Sequence, residues 1–121
     1  MTVIDKSVKI KIGGKTYNLL FTVKALMEAE HDCTEDSLLL VISSPSKLAA
    51  FQNCYALLKA GLMAGNPGTV TEDNFDELFA AAVEEYKACA GVAPYCVEAI
   101  KKSGLIIKAE KNPGAATKKE A

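Results

Sequence analysis

An α+β fold dominated by helix, with an N-terminal β-hairpin packed on a small helical bundle, is what this sequence predicts. Three observations lead there. Val8, Ile10 and Ile12 alternate with lysines before Gly13-Gly14, and Tyr17, Leu19 and Phe21 alternate with Thr16, Asn18 and Leu20 after it, as expected of two half-buried strands joined by a tight turn. Beyond Thr22 the apolar residues recur instead at three- and four-residue spacing, behind helix-start signals such as Thr22 and Ser44-Pro45. Half of the 121 residues are hydrophobic and 24% are charged, a globular composition, and a chain of this length buries roughly two thirds of its unfolded surface around one core.

The hairpin comes first, over about residues 8–21. With Gly13 and Gly14 as the loop, Ile10 lies opposite Tyr17 and Val8 opposite Leu19, so the turn's register puts the apolar residues of both strands on one face. Thr22 then caps a short helix whose apolar residues are Val23, Leu26 and Met27, ending near His31-Asp32-Cys33. Thr34-Glu35-Asp36 resembles an acidic first turn ahead of Leu38-Leu39-Leu40-Val41-Ile42, a run too uniformly apolar for periodicity to separate helix from strand.

Ser44-Pro45 opens a long helix carrying Leu48, Phe51, Tyr55, Leu58 and Leu62 on one face, and Gly65-Asn66-Pro67-Gly68 stops it. Thr71 starts the next, with Phe75, Leu78, Phe79, Ala82, Val83 and Tyr86 as its stripe and Gly91 as its close. Pro94 suits the first turn of a last helix through about Lys102, which Ser103-Gly104 ends. Leu105-Ile106-Ile107 is β-prone and able to pair with a hairpin edge. One compact domain over 1–107 and a polar, flexible tail over 108–121 are expected.

The chemistry on offer is sparse. Net charge is −1, without a Lys/Arg cluster in the folded body, so the electrostatic footprint of a nucleic-acid binder is missing. No apolar run approaches the roughly 20 residues that cross a bilayer, and Met1 to Lys6 lacks the apolar core of a secretory signal, so a cytosolic location is expected. Cys33, Cys54, Cys89 and Cys96 form no C-x-x-C pair and sit among helical apolar positions, where free thiols act as small hydrophobes.

Glu28, Glu30, His31, Asp32 and Cys33 gather the residue types that bind metals or move protons, but one histidine without further ligands makes a solvated helix end. Cys33 and His31, two apart on a helix, diverge by about 200° and make a poor nucleophile and base. Gly13-Gly14-Lys15 lacks P-loop spacing, the acidic residues from Glu72 to Glu85 lack a calcium-loop pattern, and no serine sits in a G-x-S-x-G elbow. The chain therefore reads as a non-enzyme with no cofactor. Surface for protein recognition remains, with Leu38, Leu39, Val41, Leu105, Ile106 and Ile107 as candidate contacts because so short a chain has limited room to bury both runs.

Two segments carry a family resemblance. Tyr17-Asn18-Leu19-Leu20-Phe21-Thr22-Val23-Lys24-Ala25-Leu26-Met27-Glu28-Ala29-Glu30 resembles the opening of phage tail assembly chaperones of the siphophage type, where a strand ending in an aromatic runs into a helix that finishes in acidic residues. Leu57-Leu58-Lys59-Ala60-Gly61-Leu62, Asn66-Pro67, Val70-Thr71-Glu72-Asp73-Asn74-Phe75 and Leu78 are similar to that family's central pattern; Cys89 to Cys96 has no counterpart there. The resemblance spans roughly residues 8–90.

It implies a non-structural protein, from a phage or prophage, that keeps the tape measure protein soluble in the host cytoplasm during tail assembly and is absent from the mature virion. It also implies self-association and no active-site residue set. A frameshift-extended form is a further expectation, since Thr117-Lys118-Lys119 can be encoded by the slippery ACA AAA AAG. The alternative is a head-tail connector or minor tail structural protein.

Overall fold

In a computed structural model, which describes residues 6–105, the chain is α+β and mainly helical. Strand β1 (Val8–Ile12) pairs antiparallel with β2 (Lys15–Leu19), and six helices follow: α1 (Val23–Asp32), α2 (Leu38–Ile42), α3 (Pro45–Leu48), α4 (Phe51–Gly65), α5 (Phe75–Glu85) and α6 (Cys89–Ser103).

The hairpin has the register its turn dictates, with Val8 opposite Leu19 and Ile10 opposite Tyr17. Gly13 and Gly14 take φ of 61° and 83°, the left-handed pair that a two-residue turn needs to match strand twist. Val8, Ile10, Ile12 and Leu19 are buried while Lys9 and Lys11 face out. β2 stops at Leu19, two residues before the expected end; Phe21 is buried, but outside the strand.

The hairpin's apolar face rests on α4 and α6, and α4 is the central element, also packed by α1, α3 and α5. Gly61 and Gly65 permit the close approach of α4 to β2. A Cβ on Gly61 would lie 2.8 Å from a methyl of Leu19, and one on Gly65 would overlap the carbonyl of Asn18. The Leu20 N–H donates to the Gly61 carbonyl at 3.1 Å.

Thr22 caps α1 as expected, its hydroxyl accepting from the Ala25 N–H at 3.1 Å. The buried face differs from the expected one: Ala25, Leu26 and Ala29 point inward, and Val23 and Met27 are 58% and 65% exposed. Alanines let α1 lie close against α4, so close packing of small residues outweighs the spacing of large ones.

The apolar run at 38–42 is a single helical turn, capped by Ser37 rather than by Thr34-Glu35-Asp36. The Leu38 N–H donates to Glu30 Oε2 at 2.8 Å, so a carboxylate from α1 closes the N-terminus of α2.

The long helix expected from Pro45 is two helices. Ser44 caps α3, as the Ser-Pro signal requires, but α3 ends at Leu48 and α4 starts at Phe51. Asn53, fully buried, supplies the reason: its Nδ2 donates to the Lys47 carbonyl at 2.8 Å, taking the acceptor that the Phe51 N–H would use in a continuous helix. Its Oδ1 accepts from the Thr34 N–H at 2.8 Å, tying the loop after α1 to the same point. Phe51, expected on the apolar face, is 68% exposed.

Two later boundaries also move. α5 starts at Phe75 rather than Thr71, because the Asn74 side chain accepts from the Thr71 N–H and donates to the Thr69 carbonyl, holding 69–74 as a turn. α5 ends at Glu85, and Lys87, at φ 75°, reverses the chain. α6 then begins at Cys89, so Gly91 and Pro94 lie inside it instead of closing one helix and opening the next. At Gly91 a Cβ would overlap the Tyr86 carbonyl, so glycine serves close approach there. Gly104, at φ 73°, is the left-handed cap of α6.

Candidate protein-binding surface

The 3.6-residue period of α2 divides its leucine run. Leu38, Val41 and Ile42 enter the core, and Leu39 and Leu40 face outward. Of the six residues expected to contact protein, Leu38 and Val41 are thus core residues, Leu39 and Leu105 are exposed, and Ile106 and Ile107 lie outside the described residues. Leu105 follows the α6 cap with its N–H donating to Ser103 Oγ at 3.1 Å, and is not in a strand.

Beside α2 runs a groove of about 440 Å³, walled on one side by Ile42, Pro45 and Leu48 and on the other by Ala93, Pro94 and Val97 of α6. Leu39 stands three residues before Ile42 and four before Ser43, both lining residues, so it lies on the groove's rim. The groove remains open for structural reasons: its alanines, including Ala90, are too short to fill it, and its two prolines bring no N–H. Periodicity alone could not expose it, because the walls come from segments some fifty residues apart in the chain.

The reactive side chains are occupied elsewhere. Glu30 caps α2, and His31, largely exposed, has its Nδ1 3.1 Å from Asp32 Oδ1. Burial, then the carboxylates of Asp32 and Glu30, push the Cys33 thiol up to about 11, away from nucleophile behaviour at neutral pH. Cys54, Cys89 and Cys96 are buried, and all four cysteines are free.

Acidic residues of α5 and its approach bind within the chain. Asp76 accepts from the Tyr55 hydroxyl at 2.6 Å, Glu72 pairs with Lys59 at 2.6 Å, and Glu85 accepts from the Gly13 N–H at 2.8 Å. Among the described residues no three His, Cys, Asp or Glu side chains are grouped to hold a metal ion, and no helix is long and apolar enough to cross a membrane. What the arrangement offers is an apolar groove with an exposed leucine at its edge. Comparison with known proteins finds no family model, no curated protein and no solved structure that matches this chain.

Proposed function

We propose that this chain is a phage tail assembly chaperone, which binds the tape measure protein in the host cytoplasm and keeps it soluble until the tail forms around it. The observation that carries the reading is the groove between α2–α3 and α6, apolar in its lining and edged by Leu39. A helix laid in such a groove presents apolar side chains at i, i+3, i+4 and i+7, the stripe a long helical client must hide from water. The resemblance of residues 17–30 and 57–78 to the chaperone family supplies the client's identity. Release requires modest affinity, which a short apolar groove without buried ion pairs provides.

Co-expression with the long helical protein encoded beside this gene tests the reading. Recovery of that client in soluble form only when this chain is present, and its loss with Leu39→Asp, is the expected result. A client soluble by itself, with this chain found in purified virions instead, would overturn it in favour of a connector or minor tail protein.

A further inference from the structure

The outer face of α1 is a separate surface from the groove. Val23 and Met27, one turn apart, are more exposed than large apolar residues of a helix facing a core, and the shallow depression over them is lined by α1 alone, with Lys24, Glu28 and His31 completing it. Their charged neighbours have no partner within the chain: the ion pairs of the described residues are His31–Asp32, Lys47–Glu35 and Lys59–Glu72, none of which uses Lys24 or Glu28. Lysine four residues before glutamate is also the less favourable order for pairing along one helix.

We propose that α1 docks antiparallel against α1 of a second copy of this chain, about a twofold axis near residue 26. The argument is charge complementarity. In an antiparallel pair each flank of the apolar seam meets the same flank of the other helix. Setting Lys24 level with Glu28 of the second copy makes two opposite-charge contacts by symmetry, and it separates the two lysines, like the two glutamates, by about 6 Å along the axis. The same offset brings Met27 beside Met27 of the second copy and Val23 close to Met27 of the second copy, so both apolar residues leave water together. This surface is distinct from the groove, so a dimer still has two free grooves, on opposite partners, for a client.

Sedimentation equilibrium of the purified chain, from low micromolar to near-millimolar concentration, reads the proposal without any client. A dimer is expected for the natural sequence and a monomer for Met27→Lys, whose exposed site leaves the fold intact by circular dichroism. Lys24→Glu and Glu28→Lys should each weaken association about fivefold, because each replaces both symmetric attractions with repulsions. The double reversal, Lys24→Glu with Glu28→Lys, should return it to within about twofold of the natural value. A chain monomeric at all concentrations, a Met27→Lys variant that still associates, or a double reversal no better than the singles would overturn the proposal. None of these outcomes touches the client experiment, so the two readings fail separately.

Discussion

The β2 edge of the hairpin and the groove beside α6 both bring apolar walls and backbone groups toward the surface, and only the first is closed. At the β2 edge, Asn66 treats the strand as a neighbouring strand would: its Oδ1 accepts from the Asn18 N–H at 3.1 Å and its Nδ2 donates to the Asn18 carbonyl at 2.8 Å. Gly61 and Gly65 let the helix come near enough for that contact. In the groove the corresponding positions are Pro45, Pro94, Ala90 and Ala93, which supply neither donors nor bulk. Closure here depends on glycine where backbones must touch and on an amide that can stand in for a peptide group. Where those residues are missing, the same kind of apolar wall stays available to a partner.

The sharpest way to break this comparison uses two residues of one helical turn. Val41→Asp places a charge at a fully buried site and should cost about 4 kcal/mol or more in urea denaturation. Leu39→Asp, two residues earlier and exposed, should change stability by less than about 0.5 kcal/mol while abolishing client capture. Equal losses from the two would remove the distinction between core and rim.

Next is the closed edge. Gly65→Ala should cost about 3 kcal/mol, since the added methyl meets a strand carbonyl held in place by Asn66, whereas Gly61→Ala should cost about 1 kcal/mol because flexible ends of Leu19 and Phe21 yield to it. Asn53→Ala comes third, at about 2 kcal/mol, by orphaning the Thr34 N–H and the Lys47 carbonyl at a buried junction. A fall below about 0.5 kcal/mol would mean water replaces that amide without loss.

The smallest effect is the one read by pH. Burial raises Cys96 from the ordinary 9.0 to about 12, burial together with Asp32 and Glu30 raises Cys33 to about 11, and burial together with the Cys89 thiol raises Cys54. The folded chain thus keeps protons that the unfolded chain releases above pH 9. Stability from these thiols is complete below pH 9 and declines as pH rises from 9 toward 12, so the denaturation midpoint should fall across that window. A Cys96→Ala variant, with its core cavity, should begin lower and decline less steeply.

Local signals with one physical solution were legible in the chain itself. Gly13-Gly14 between alternating strands admits one hairpin register, Thr22 and Ser44-Pro45 cap helices through bonds to their own neighbours, and Gly104 ends a helix because little else tolerates its φ. Each of these energies is settled within a few residues.

The tertiary structure decided everything in which a distant group competes for a local one. Asn53 splits an otherwise continuous helix by taking the Lys47 carbonyl, and Glu30 reaches from α1 to close α2. Ala25 and Ala29 displace Val23 and Met27 from the buried face because α4 offers a close surface to small side chains. The groove arises the same way, from two proline-bearing segments far apart in the chain that meet without filling the space between them. Periodicity records how large each side chain is, but which face gains most by burial depends on the shape it meets, and that shape exists only once the chain has folded.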